Sequence, residues 1–371
     1  LFLCVLFELA SFLVHEYVFL PRGSLLAYEP PQSILLQGKY AEYLAKRDPI
    51  LGWPEHRERH IPRPSPGSPT SETACISLYG DSFTFSAEVD DRAAWGNVVA
   101  KKLGCRVDNF GVSGYGTGQA YLRFRLNEQD NAPVTILGIY PLNILRNINQ
   151  YRFFMARQTD LGFKPRLALE GAELKEVPMP SISYEQSSDM YETPEKYFTH
   201  EAFLPDTKYG PMRFSFPWSL SMLRFILLKE HLVVDRITGK PRWIEYWEPN
   251  HPTNSLELMS AIVSRFNQEC LQRQKQCLVV IYPMPGAIDL FREGGAVFQD
   301  FSDSMSAEGI EVLDLTVGFN EKLAGRSLCS LQIENNCRKH FNVEGYAIVA
   351  ELVTKWLEKT QPFASQRNRG F

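Results

Sequence analysis

The sequence has no CxxC pair, no P-loop and no dinucleotide fingerprint, and each absence removes a class of function. Its seven cysteines (4, 75, 105, 270, 277, 329 and 337) lack the paired spacing of a zinc or redox centre, so no metal site is expected. The glycines at 111, 114, 116 and 118 break the G-x-G-x-x-G order, and no cofactor is expected. No basic stripe occurs and the formal net charge is −4, which argues against nucleic acid as a partner. Internal repeats and low-complexity tracts are also missing. With aromatics at 12% and ordinary proline and glycine, the composition is that of a globular protein.

Residues 1–20 are mostly apolar, interrupted by Glu8, His15 and Glu16. Twenty helical residues span roughly 30 Å, about one hydrocarbon core. A glutamate at mid-depth costs about 2.5–3.5 kcal/mol on insertion scales, less than the surrounding apolar residues supply. No small-residue cleavage site follows, so this stretch is expected to be an uncleaved signal-anchor. The rest of the chain then lies outside the cytoplasm, in a periplasmic or extracellular compartment. Residues 21–72 read as a juxtamembrane connector, closing in a Pro/Ser-rich linker over 61–70. Residues 359–371 read as a polar tail.

From Thr73 the chain alternates strand and helix. Short apolar runs at 73–79, 106–110, 134–140, 278–282 and 311–315 alternate with helical spacing at 94–103, 119–126, 256–276, 296–308 and 344–358. This order predicts an α/β domain over 73–358 with a doubly wound sheet of about five parallel strands. Residues 150–255 interrupt the rhythm. They read as a loop-rich insertion of about a hundred residues, a cap beside the active face, with a hairpin around Glu170-Gly171. Its aromatics (Tyr151, Phe153, Phe154, Trp218, Trp243, Tyr246, Trp247) either stack on sugar rings or form the insertion's own core.

Four positions fall where a parallel sheet gathers its ligands, at the carboxyl ends of strands. Ser82 follows the first strand, Gly114 the second and Asn143 the third, while His340 precedes the last helix. A serine, a histidine, an accessible backbone N–H and an amide donor suffice for acyl transfer. The histidine takes the serine proton, and the donors hold the oxyanion of the tetrahedral intermediate.

The ordered set Gly80-Asp81-Ser82, Asn109-Phe110-Gly111-Val112-Ser113-Gly114, Asn143 and His340-Phe341-Asn342-Val343-Glu344-Gly345 resembles the four blocks of the SGNH (GDSL-type) hydrolases. The resemblance covers about 73–150 and 256–358. It implies a flavodoxin-like three-layer fold and a serine esterase or acyltransferase. In it Ser82 is the nucleophile, His340 the base, and the Ser82 N–H, the Gly114 N–H and the Asn143 side chain form the oxyanion hole. The substrate would be a small-molecule or glycan ester.

Two positions depart from that pattern. Ile144 stands where the family follows its Asn with Asp, and Arg338 and Cys337 stand where an Asp normally orients the histidine. A backbone carbonyl, Asp314 or Glu334 could orient His340 instead. Three readings follow: an esterase, an O-acyltransferase acting on extracytoplasmic glycan, and a non-catalytic glycan-binding or assembly protein. Cys75 reads as a buried apolar residue of the first strand. Cys329 and Cys337 flank the loop to His340, where a bridge would brace it.

Overall fold

The structure is a computed structural model and describes residues 2–22, 26–29, 37–54, 58–67, 73–155, 162–232, 239 and 241–360. Of the expected polar tail, 361–371 lie outside the described residues. The chain divides into two compact units. One comprises residues 1–57 and 146–242, and the other 58–145 and 243–371.

The second unit is built on a five-stranded parallel sheet. Its strands are β1 (Ile76–Tyr79), β2 (Val107–Asn109), β3 (Val134–Ile139), β6 (Gln276–Ile281) and β7 (Val312–Asp314), in the order β2-β1-β3-β6-β7. Every pairing is parallel, with Leu78 opposite Asn109 on one side and Ile136 on the other. The expected α/β architecture is therefore present. β1 and β3 are buried along their whole length because helices cover both faces.

On one face Ile76, Leu78, Ile136 and Val280 pack with Trp95, Val99, Val349 and Val353 from helices Trp95–Leu103 and Val343–Thr360. On the other, Tyr79 meets Phe110 and Phe124, with ring centroids 5.0 and 5.3 Å apart. A slip by one residue would send each set of side chains to the opposite face, into a core packed around the other set. Since β1 joins β2 on one side and β3 on the other, the winding reverses at its carboxyl end. That is where such sheets take ligands.

In this unit the short helices Asn143–Asn147, Pro285–Arg292 and Thr316–Leu323 were not expected from the sequence. Each has eight residues or fewer, too short for an apolar period to stand out. Cys75 is not a simple apolar residue, because it bonds Cys105 and so ties the entrance of β1 to that of β2. Cys270 bonds Cys277, and Cys329 bonds Cys337 as a brace before His340.

Within the expected linker 61–70, of which 68–70 lie outside the described residues, the side chain of Arg63 is buried. Its guanidinium donates to the carbonyls of Phe85, Ser86 (2.7 Å) and Val89 (2.6 Å) and to Asp91 Oδ1 (2.7 Å). A buried guanidinium needs such partners for its donors, and this one finds them along a single loop.

In the first unit, β4 (Arg166–Glu170) and β5 (Glu173–Val177) form the expected antiparallel hairpin around Gly171, whose φ is +62°. Tyr151, Phe153, Phe154, Phe163 and Phe198 form one buried ring cluster. Residues read as connector join this unit: Tyr28 stacks on Tyr191 at 4.5 Å, and the Tyr40 hydroxyl donates to Ile182 O at 2.7 Å. Trp243, Tyr246 and Trp247 fall in the sheet-bearing unit and are buried there. Of the seven aromatics considered for sugar stacking, six are core residues, and Trp218 packs on Phe12 of the N-terminal helix.

Gly111 passes against the turn after β1. A Cβ there would stand 2.5 Å from Phe85 N and 2.9 Å from Asp81 O, both backbone atoms. Gly111→Ala is expected to destabilise this unit by about 1–3 kcal/mol. A lowered urea midpoint at unchanged slope would show it, and an unmoved midpoint would mean the turn yields.

Candidate active site

β1 ends at Tyr79, and Gly80-Asp81 turn the chain into the one-turn helix Ser82–Phe85. Asp81, not Ser82, is the N-cap: its Oδ1 accepts from Phe83 N at 2.9 Å. That leaves the serine hydroxyl free for other work. The turn is held on every side. Phe83 stacks on Tyr140 beyond β3, with ring centroids 4.0 Å apart, and meets Phe341 at 5.1 Å. Asn109 at the end of β2 donates to Thr84 O at 2.7 Å and accepts from Gly111 N at 2.9 Å. Thr84 Oγ1 lies 3.1 Å from the Tyr282 hydroxyl. The apolar stack and these hydrogen bonds together hold Ser82 in a site where it is only 4% exposed.

His340 arrives from the other end of the chain on a loop tied by the Cys329–Cys337 bridge. Its carbonyl accepts from Ile333 N at 2.9 Å, and Asn342 Oδ1 accepts from Gly345 N, capping the last helix. The ring lies beside Phe83, centroids 5.0 Å apart. Its Nε2 is 2.8 Å from Ser82 Oγ. The two predicted residues, 258 apart in sequence, are in hydrogen-bond contact.

The other ring nitrogen corrects the sequence reading. His340 Nδ1 is 3.0 Å from Glu88 Oε2, so neither Asp314 nor Glu334 is its partner. Asp314 Oδ1 instead accepts from Thr316 N at 2.9 Å, and burial raises its pKa against the bonds from Thr316. Glu334 is exposed. Glu88 follows Ser82 by six residues, in the loop that Arg63 clamps. Ser86 and Glu88 in that loop both hold left-handed backbone, φ 62° and 68°, at a cost of about 1–2 kcal/mol each. The Arg63 contacts offset this strain by fixing three of the loop's carbonyls. Nothing in the sequence marks Glu88, since its role depends on where its loop folds back.

Partial burial pushes the Glu88 carboxyl up, but hydrogen bonds from His340, its charge and a bond from Lys339 outweigh that. The net pKa lies below the ordinary glutamate value. Gly114 and Asn143 lie in the segments that follow β2 and β3, the neighbours of β1. Gly114 has φ +83°, a conformation glycine adopts freely, and Asn143 is fully buried. Among the described residues, no hydrogen bond is donated by the backbone N–H of Ser82 or of Gly114. Among the same residues, no group of three or more His, Cys, Asp or Glu side chains could hold a metal ion.

No family model matches the sequence, and no curated protein matches it. Solved structures are similar to it at low identity. A lipolytic protein of the G-D-S-L family from Desulfitobacterium hafniense is 13% identical, with 76% of this chain and 97% of that chain covered and a TM-score of 0.37. A member of the same family from Veillonella parvula is 10% identical, covering 76% and 96%, with a TM-score of 0.35. A catalytic mutant of an acetylxylan esterase from Geobacillus stearothermophilus is 13% identical, covering 79% and 95%, with a TM-score of 0.38.

The lowered Glu88 pKa has a definite sign. Its stabilising contribution is present above the unfolded value, near 4.3, and is lost as pH falls through the folded pKa. A carboxyl NMR titration is expected to place Glu88 below an ordinary glutamate, and His340→Ala to move it up. An unmoved midpoint in that variant would break the pairing.

Proposed function

We propose that this chain is a serine-dependent carboxylic ester hydrolase of the SGNH type. The observation that carries the proposal is the unbroken hydrogen-bonded chain from Ser82 Oγ through His340 to Glu88. In this reading Ser82 Oγ attacks the acyl carbon while His340 Nε2 takes its proton. The same nitrogen then protonates the departing alkoxide, leaving an acyl-serine. Water repeats the sequence in reverse, giving its proton to His340 and releasing the acid. Glu88 holds Nδ1 protonated and stabilises the imidazolium formed in each half. The Ser82 and Gly114 N–H groups and the Asn143 amide are the proposed donors to the oxyanion.

The reading as a non-catalytic binding protein drew its weight from a missing Asp, and the Glu88 contact removes that ground. The proposed substrate is an ester of a small molecule or of a carbohydrate, and an acceptor sugar in place of water would make the same site an O-acyltransferase. Residues 2–19 form one helix long and apolar enough to cross a membrane. With three disulfides in the sheet-bearing unit, this supports an anchored protein working in an oxidising compartment outside the cytoplasm.

A fluorophosphonate probe is expected to label the wild type and to spare Ser82→Ala. Glu88→Gln should lower kcat by up to about 10⁴-fold, whereas Asp314→Asn and Glu334→Gln should leave it near wild type. Equal losses in all three, or labelling that survives Ser82→Ala, would contradict the assignment. Turnover that appears only with a sugar acceptor would identify a transferase.

A further inference from the structure

We propose that helix Trp218–Leu228 is a second membrane-embedded element, dipping halfway into the bilayer beside the N-terminal helix. The proposal rests on the anchor reading above and extends it to a segment far away in sequence. The occupant of its exposed face is lipid hydrocarbon.

The two helices belong to one unit and run side by side in the same direction. At one end, Glu8 Oε1 and Oε2 accept from Trp218 N and Ser219 N at 2.5 and 2.9 Å. Phe12 meets the Trp218 ring at 5.4 Å, and His15 lies between Phe214 and Trp218, 4.9 Å from each. At the other end Phe19 packs on Phe225 at 4.5 Å. Glu8 to Phe19 and Trp218 to Leu228 each advance about 16 Å, half of a hydrocarbon core. If the N-terminal helix spans, its Glu8 level is deep and its Phe19 level shallow. Trp218 is then at mid-depth and Leu228 near the surface.

Hydrocarbon tolerates a helix end only if its backbone donors are satisfied from within the protein. This one meets that condition. Glu8 takes the first two N–H groups, Pro217 has none to satisfy, and Leu220 N and Ser221 N both donate to Pro217 O. Ser221 Oγ donates to Ser215 O at 2.9 Å and accepts from Ser215 N at 3.2 Å, closing the approach to the turn. The same contacts answer the question of Glu8. A carboxylate that would be costly at mid-membrane is instead the cap of a neighbouring helix.

The outward face matches the solvent assigned to it. Phe216, Leu220, Leu223 and Leu227 recur at helical spacing and are 76%, 55%, 48% and 70% exposed. Phe2, Leu3, Leu6, Phe7 and Leu13 on the N-terminal helix are exposed as well. Within Trp218–Leu228 the only charge is Arg224, in the shallow half, where a long side chain reaches the headgroups. Two packed helices that each expose a row of large apolar side chains are out of place in water.

The test uses the full chain in phospholipid vesicles, with Cys4→Ser removing the free thiol. Single cysteines replace Leu6, Phe216 or Leu227 and carry an environment-sensitive fluorophore. The label at Phe216→Cys is expected to shift to the blue and to be quenched most by nitroxides near the acyl-chain end. At Leu227→Cys quenching should be strongest from nitroxides near the headgroup, and at Leu6→Cys it should come from lipid and not from aqueous iodide. Iodide quenching at 216 and 227 with lipid quenching at 6 would overturn the half-span while leaving the anchor in place. Iodide quenching at all three would overturn the anchor as well. Shielding of 216 and 227 from both quenchers would assign the face to protein contact and reject lipid as its occupant.

Discussion

The imidazole of His340 is the joint on which the sheet-bearing unit turns. One nitrogen meets the hydroxyl at the end of β1, and the other meets a carboxylate six residues farther along the same turn. A single loop thus supplies both partners of the histidine, so the three groups depend on only two chain segments. Each segment is fixed by its own device. The turn is packed between Tyr140 and Phe341 through Phe83, and the histidine loop is closed by the Cys329–Cys337 bridge. Holding reacting groups in register before substrate arrives is what allows fixed dipoles to act without reorganisation.

In the proposed triad the carboxylate follows the serine in sequence, which changes what must be held rigid. With the acid just before the histidine, one loop would orient its own ring. Here the carboxylate rides on a loop with two left-handed residues, Ser86 and Glu88, which would not stay put unaided. Arg63 holds it, donating to three of its carbonyls and to Asp91. Asn97 adds a second tie, with its amide donating to Asp91 O and Pro64 O at 2.7 and 3.0 Å. The segment before the first strand is therefore part of the site's support.

Much of the sheet was legible because strands buried on both faces read as apolar runs whatever their neighbours. Ser82 and His340 could be found since strand ends in a parallel sheet share one edge, whatever their separation in sequence. Glu88 could not, because a carboxylate in an irregular loop carries no period and its partner lies 252 residues away. Arg63 was hidden for a related reason: prolines on either side of it suggest an extended linker, and only tertiary contacts bury its guanidinium. Glu8 was visible as an anomaly in an apolar run, but its partner, the start of a helix 210 residues on, was not.

The central claim is that Ser82, His340 and Glu88 act as one relay beneath an oxyanion site formed at the ends of β1, β2 and β3. A crystal structure of the protein with a phosphonate bonded to Ser82 Oγ tests it most directly. The account predicts a phosphonyl oxygen within hydrogen-bond reach of the Ser82 and Gly114 N–H groups and the Asn143 amide, with His340 still bridging to Glu88. A phosphonyl oxygen turned away from all three donors, or a His340 ring paired with another group, would contradict it.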